Sequence, residues 1–481
     1  MTTTRRRSPA LLAGLTALGL VLGACSSTPE AEPAPTTGTS STPSATEAAT
    51  TTEPSESPDF SGAPVVEIPA TPVGEQIAWT IAALAPDATL DPADAESRLS
   101  PPALEQLDGA ALAQTFAAIA ATGPWEPISY DGQDYSAVAQ LRDAGGERLD
   151  LTVVVSQEGL IEQLLFQPPF DHEPAASWDE LGTAVEALPA DTTVVVTDVT
   201  DPAAPQEVFA SGEDGAFPVG SVFKLYVLGA VTDAVAAGTL TWDTELTLTE
   251  DVKSMPSGTL QNEPAGTVVT VRQAAEAMIA ISDNTATDLL IQTVGRENVE
   301  AQLTVMGHSE PALNTPLLAT RELFLLGWGG DDARREAWAQ GDAAERRAIL
   351  AALPAGPPGI DPLTISAPVW QDGLDWFATP ADLVAAHLAL QQKADTPAGE
   401  PLTAILGANP GIEPAVAEAF DEVAFKGGSS MGVLALTHHY RDADGAWIVT
   451  LQAHGDSQTD VADLRPYVAA AQDAALLLAG S

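Results

Sequence analysis

Apolar positions along the chain change period several times, and each change marks a boundary. In residues 63–170, "TPVGEQIAWTIAAL" and "PPALEQLDGAALAQTFAAIAA" repeat their apolar residues at helical spacing. "EPISYDGQDYSAVAQL" and "RLDLTVVVSQEGLIEQLLFQP" then alternate as strands do, the second around a Gln157-Glu158-Gly159 turn. Helices followed by a meander predict a small α+β domain. That domain holds no Lys or His and no motif that points to chemistry.

A second domain is predicted over residues 171–481. "WDELGTAVEAL" reads as a helix, "TTVVVTDV" and "QEVFAS" as a strand pair, and the stretch from Ser221 to about Leu390 as mainly helical. "EVAFKGG", "GVLALTHHYR" and "AWIVTLQAHG" return to strand spacing before a last helix, "LRPYVAAAQDAALLLA". Two early and three late strands can share one sheet with the terminal helices on one face. The middle helices then form a separate lobe, and the cleft between lobe and sheet is where a site would sit.

The first 62 residues follow neither pattern. Residues 1–25, "MTTTRRRSPALLAGLTALGLVLGAC", place three arginines before an apolar run too short to span a bilayer, which predicts a secretory signal peptide. Residues 26–62 contain almost no apolar bulk and are rich in Ser, Thr, Pro, Ala and Glu, so they are expected to form a disordered tether. Leu22-Gly23-Ala24-Cys25 resembles the bacterial lipobox, which implies lipidation at Cys25 and an extracytoplasmic protein anchored to the cell membrane; a plain signal peptide is the alternative. Cys25 is the only cysteine, which leaves no thiol for a disulfide, a catalytic thiolate or a cysteine-based zinc site.

Charge narrows the partners. Nineteen Lys and Arg stand against 67 Asp and Glu, a formal net charge of −48, and phosphate binding needs a basic surface, so nucleic acid is not an expected partner. Lysine occurs only at Lys224, Lys253, Lys393 and Lys426, while arginine supplies the other basic residues. A desolvated lysine can lose its proton and an arginine cannot, so each retained lysine is a candidate for acid–base work.

Three short motifs carry the candidate chemistry. Ser221-Val-Phe-Lys224 puts a lysine one helical turn from a serine, where burial and the helix N-terminus both favour a neutral amine able to take the serine proton. The bland alternative is a helix cap followed by a solvated charge. Ser282-Asp283-Asn284 lies between two helical stretches, and any of the three could simply cap a helix; the functional reading is a hydroxyl and an amide projecting into the cleft. Lys426-Gly427-Gly428 sits on a strand, where glycines admit a substrate backbone and the lysine offers a point charge; a surface hairpin is the alternative.

Two other arrangements of residues point to chemistry less well. Gly428 to Gly432 fits the G-x-S-x-G nucleophile elbow, but that elbow leads into a helix and "VLALTHHY" alternates as a strand. His438 and His439 would face opposite sides of that strand, and with His172, His308, His387 and His454 they show no ligand spacing, so neither a metal nor another cofactor is expected.

In this order, S-x-x-K, S-D-N and a K-G-G variant of K-T-G resemble the signature of class A β-lactamases and penicillin-binding proteins, over about residues 178–481. "PAGTVVTVRQAAEAMIAISDNTATDLLIQTVG" is similar to the corresponding helical stretch of those enzymes. With its small N-terminal domain the whole chain looks most like the serine hydrolases of clavulanic acid biosynthesis clusters, through "FPVGSVFKLYVLGA" and "LNTPLLATRELF" as well. The resemblance implies a multidomain chain of mixed α+β and α/β class. A steroid-isomerase-like cone domain would precede a five-stranded antiparallel sheet with flanking helices and a helical lobe.

Carried over residue by residue, the resemblance implies Ser221 as acylated nucleophile and Lys224 as its base. Ser282 would relay a proton to the leaving group and Asn284 would bind the acyl side-chain amide. Lys426 would hold a substrate carboxylate and set the protonation of Ser282, and the backbone N–H groups of Ser221 and Ser429 would form the oxyanion hole, with Gly428 admitting the substrate. "EPALN" offers Glu310 and Asn314 in the E-x-x-L-N pattern of the deacylating loop. Glu310 nevertheless comes only 28 residues after Ser282, and an insertion reaching about Ala378 follows it, so a surface turn is the alternative. With such a base, β-lactams or related amides and esters would turn over; without it, the chain would behave as a penicillin-binding or D,D-peptidase-like protein acting on D-Ala-type peptides. A non-catalytic sensor on the same fold is the reading from a different class. The sequence leaves the natural substrate and the oligomeric state open.

Overall fold

The computed structural model describes residues 64–104, 108–132, 134–255, 257–361 and 365–480. The signal peptide with Cys25 and the tether expected over residues 26–62 lie outside the described residues. The described chain forms two compact units, 64–171 and 172–480.

The first unit opens with helices α1 (Pro72–Ala83), α2 (Pro92–Arg98), α3 (Pro101–Leu104) and α4 (Gly109–Ala120). The single helical run read from "PPALEQLDGAALAQTFAAIAA" is divided, because Asp108 caps α4 by accepting a hydrogen bond from the Ala111 N–H at 2.7 Å. Strands β1 (Trp125–Gly132), β2 (Ser136–Asp143), β3 (Arg148–Val155) and β4 (Ile161–Gln167) form an antiparallel meander in sequential order. Alternation along β2 and β3 buries Ala139, Leu141, Leu151 and Val153 completely, against Ile77 of α1 and Leu112 and Phe116 of α4.

The second unit begins with α5 (Trp178–Glu186), β5 (Asp191–Asp198), β6 (Gln206–Ser211) and the two-residue strand β7 (Phe217–Pro218). A 3-10 turn, Gly220–Phe223, leads into α6 (Lys224–Ala236). The helical lobe continues through the hairpin β8 (Glu245–Thr247) and β9 (Val268–Thr270), then α7 (Val271–Ala280), α8 (Asn284–Val294), α9 (Arg296–Val305), α10 (Thr320–Trp328), α11 (Asp332–Gln340) and α12 (Ala343–Ala351). Strand β10 (Phe377–Ala378) pairs with β7, and α13 (Pro380–Ala394), α14 (Leu402–Gly407) and α15 (Pro414–Ala417) follow. Strands β11 (Glu422–Ser430), β12 (Val433–Arg441) and β13 (Ala446–His454) and helix α16 (Arg465–Ala479) complete the unit.

The main sheet has the order β11-β12-β13-β5-β6, antiparallel throughout. One face packs on α5 and α16 through Leu181, Val194, Leu451, Tyr467 and Ala471; the other meets the lobe through Ala424 and Ala435. Because both faces are covered, β12 is buried at every position from Val433 to Tyr440, and its two histidines are core residues. His438 stacks near Phe425 and Tyr440, while His439 lies toward His387 of α13. The short strands β8, β9 and β10 interrupt the stretch read as mainly helical, since two or three residues are too few to display a period.

Candidate active site

The nucleophile turn is shaped by close backbone approach. Gly220 adopts φ 49°, the left-handed region, and a Cβ there would stand 2.6 Å from the Ser429 nitrogen. A Cβ on Gly428 would stand 2.0 Å from the Val219 carbonyl oxygen and 2.7 Å from the Ser221 nitrogen. Two glycines therefore let the end of β11 press against the turn, which brings the Ser221 and Ser429 backbones side by side. In the 3-10 geometry of Gly220–Phe223, side chains three apart eclipse, so Ser221 and Lys224 fall on one line. Ser221 is half-buried and Lys224 is 0% exposed, at the head of a helix buried without a break from Lys224 to Thr232.

Ser282 occupies a second constrained turn. It has φ 57°, the only non-glycine residue with positive φ among the described residues. Asp283 caps α8 through the Ala286 N–H at 2.8 Å and also accepts from the Thr259 and Leu260 N–H groups at 2.7 and 2.9 Å. Those bonds hold Ser282 in a conformation that a serine seldom adopts alone. Its carbonyl accepts from Lys224 Nζ at 2.6 Å and from Ser257 Oγ at 2.8 Å.

Three elements converge on the Ser282 hydroxyl. Lys224 Nζ lies 3.1 Å and Lys426 Nζ 3.0 Å from Ser282 Oγ. Lys224 Nζ also donates to Asn284 Oδ1 at 2.7 Å, and Lys426 Nζ donates to the Gly427 carbonyl at 2.5 Å. Asn284 Nδ2 donates to the Met255 carbonyl at 3.1 Å, so the carboxamide is fixed from both ends. Burial holds the Lys224 amine well below the usual lysine range and the neighbouring Lys426 lowers it further, against the opposing pull of Asp283 and Asp288. Burial also brings Lys426 down to about 7. Lys224 Nζ is thereby set against the Ser282 carbonyl, Ser282 Oγ and Asn284 Oδ1, while Lys426 Nζ donates to the same Ser282 Oγ.

Glu310 does not join this group. It is exposed at the head of a 3-10 turn, Pro311–Asn314, and its carboxylate has no hydrogen bond to Ser221, Lys224 or Ser282. Asn314 is buried but committed elsewhere: Oδ1 accepts from the Phe377 N–H at 2.8 Å and Nδ2 donates to the Phe377 carbonyl at 2.8 Å. The geometry of that segment is that of a strut beside β10.

Two residues beside the site escaped the sequence reading. Ser257 shares the Ser282 carbonyl with Lys224, and Asp375 accepts from the Gly220 N–H at 2.8 Å and from Ser430 Oγ at 2.7 Å. An acid enclosed by apolar residues in "GLDWFA" is the signal that could have found Asp375.

Two family models match the chain. Residues 177–394 match the family described as "Beta-lactamase enzyme family", and residues 68–161 match "ORF 12 gene product N-terminal". The first match takes in Ser221, Lys224 and Ser282 and stops short of Lys426. No curated protein sequence matches the chain. Similar solved structures include PBP-A, at 19% identity over 62% of this chain and 93% of that one, TM-score 0.42. The β-lactamase from Sphaerobacter thermophilus DSM 20745 is 20% identical over 63% of this chain and 98% of that one, TM-score 0.44. The β-lactamase from Francisella tularensis is 13% identical over 63% and 98%, TM-score 0.44. The chain thus carries a mixed α/β, β-lactamase-like domain with a five-stranded antiparallel sheet, behind an N-terminal domain of the ORF 12 kind.

Proposed function

We propose that this β-lactamase-like chain is a serine hydrolase that works through an acyl-enzyme at Ser221. The observation that carries the reading is the Ser282 hydroxyl held between Lys224 Nζ and Lys426 Nζ beside the nucleophile turn. Neutral Lys224 takes the Ser221 proton as Oγ attacks an amide or ester carbonyl. Negative charge then develops on the carbonyl oxygen, where the Ser221 and Ser429 N–H groups receive it; one such donor contributes roughly 10²–10³ in rate. Ser282 passes a proton to the departing nitrogen or oxygen and is reprotonated through the two lysines. Asn284 aligns Lys224 and offers its second amide hydrogen to the acyl side chain, and Lys426 supports a substrate carboxylate when charged.

β-Lactams, small esters and D-Ala-type peptides all present a carbonyl suited to this machinery. The position of Glu310 favours a second form of the same reading, in which acylation outruns deacylation and the chain behaves as a penicillin-binding protein. The lipobox-like Leu22–Cys25 supports anchoring to the cell membrane through Cys25, outside the cytoplasm. A domain of the ORF 12 kind ahead of the β-lactamase-like unit supports kinship with the serine hydrolases of clavulanic acid clusters. Turnover of a chromogenic cephalosporin, a p-nitrophenyl ester and a D-Ala-D-Ala peptide, beside Ser221→Ala, tests the reading. At least one substrate should be consumed in a Ser221-dependent way; consumption of none, or equal consumption by Ser221→Ala, would leave a non-catalytic binder.

A further inference from the structure

Asp375 is 3% exposed, next to Leu374 and Trp376, which are also buried. Its Oδ1 accepts from the N–H groups of Gly220 and Trp376, both at 2.8 Å, and its Oδ2 accepts from Ser430 Oγ at 2.7 Å. Burial raises its carboxyl to about 6 against the pull of these donors. Among the described residues no ion pair reaches it. Burying an acid without a counter-ion is costly, so the bonds it makes must supply something that an apolar residue of the same size would not.

What they supply is a join between distant parts of the chain. Gly220 is 155 residues from Asp375 and Ser430 is 55 residues away. Gly220 immediately precedes Ser221, and Ser430 immediately follows Ser429. The two arms of one carboxylate therefore hold the neighbours of the two proposed oxyanion donors. Two other buried acids near the site, Asp283 and Asp288, instead accept N–H groups at the starts of α8 and α10, as capping residues do. Asp375 is itself anchored from the turn side, because the Val219 N–H donates to the Trp376 carbonyl at 2.8 Å and the Trp376 ring stacks on Phe223 at 3.7 Å.

We infer that Asp375 is a positioning residue that locks the nucleophile turn to the end of β11 and so sets the spacing of the two-donor oxyanion hole. The inference rests on the serine-hydrolase reading above and adds to it a residue that touches no substrate. Removing either arm lets the turn and the strand drift apart, and a misplacement of about 1 Å costs on the order of 10²-fold in rate.

The test measures covalent modification of the folded chain from residue 63 by intact mass: acylation by penicillin G, and phosphonylation, with loss of fluoride, by a fluorophosphonate that labels activated serines. Variants are Asp375→Leu, Asp375→Asn and Ser430→Ala, each with its melting temperature. Asp375→Leu should slow modification of Ser221 about 100-fold with both reagents, and Ser430→Ala about 10-fold. Asp375→Asn, which keeps an acceptor for Gly220 and a partner for Ser430, should recover most of the loss and serves if the leucine variant fails to fold. At saturating penicillin the acylation rate constant should fall while the dissociation constant of the initial complex stays within about two-fold. Folded variants acylated at the wild-type rate would overturn the inference alone. A wild type that labels with the fluorophosphonate but not with penicillin narrows the substrate and leaves the fluorophosphonate arm decisive. A wild type that reacts with neither overturns the functional reading, and this assignment with it.

Discussion

Gly428→Ala perturbs the site by a single methyl group. Its Cβ would stand 2.0 Å from the Val219 carbonyl oxygen, 2.7 Å from the Ser221 nitrogen and 2.8 Å from the Val222 nitrogen. All three are backbone atoms of the nucleophile turn, so no side-chain rotation relieves the contact. Ordinary packing begins near 3.4 Å, which requires β11 and the turn to separate by about 1.4 Å. An oxyanion hole works with donors roughly 2.7–3.1 Å from the developing charge, and that separation takes one donor out of range. Acylation should fall about 100-fold, equivalent to about 2.7 kcal/mol of lost transition-state stabilisation. Stopped-flow acylation by a chromogenic cephalosporin or an activated ester reads the change directly, with far-ultraviolet circular dichroism as the check on folding. Gly182→Ala in α5 is the control: its Cβ would meet only the Phe209 ring at an ordinary 3.7 Å, and acylation should be unchanged. A folded Gly428→Ala protein acylated within three-fold of wild type would refute the argument that close approach of β11 builds the site.

Lys224→Arg should abolish acylation as completely as Lys224→Ala, at least 10³-fold by single-turnover labelling, because a guanidinium cannot give up its proton; substantial activity in the arginine variant would exclude Lys224 as base. Glu310→Gln should leave the lifetime of the acyl-enzyme within two-fold of wild type, measured by mass after removal of excess reagent, and a strongly lengthened lifetime would make Glu310 the deacylating base after all. Burial lowers His438 to about 3, so the unfolded chain binds the extra proton as pH falls below about 6.5; the folded state holds its full stability above that pH and loses it progressively toward the folded value. His438→Leu, which keeps apolar contact with Phe425 and Tyr440, should therefore gain about 2 kcal/mol relative to wild type between pH 7 and pH 5, read by urea unfolding; parallel pH slopes would contradict it.

The sheet strands and terminal helices were legible because each buries one face or both for several residues in succession. "GVLALTHHYR" became β12 and "LRPYVAAAQDAALLLA" became α16 for that reason. Short pieces such as β7 and β10 were not, since their pairing is decided by the partner strand. Ser221, Lys224, Ser282 and Lys426 could be named from residue type and order, yet their convergence depends on the close approach of Gly220 and Gly428 and on the φ of Ser282, which no periodicity reveals. Asp375 was missed because its meaning lies in contacts 155 and 55 residues away. Glu310 shows the converse: the E-x-x-L-N letters are present, but Asn314 spends its carboxamide on Phe377 and Glu310 stays exposed.

An intact-mass time course of residues 63–481 with a penicillin, a cephalosporin and an activated ester, followed by peptide mapping, shows whether Ser221 is the acylated nucleophile. An adduct of the acyl mass should form on Ser221, absent from Ser221→Ala and strongly slowed in Lys224→Arg. An adduct on another residue, or none with any reagent while the protein is folded, would contradict that role.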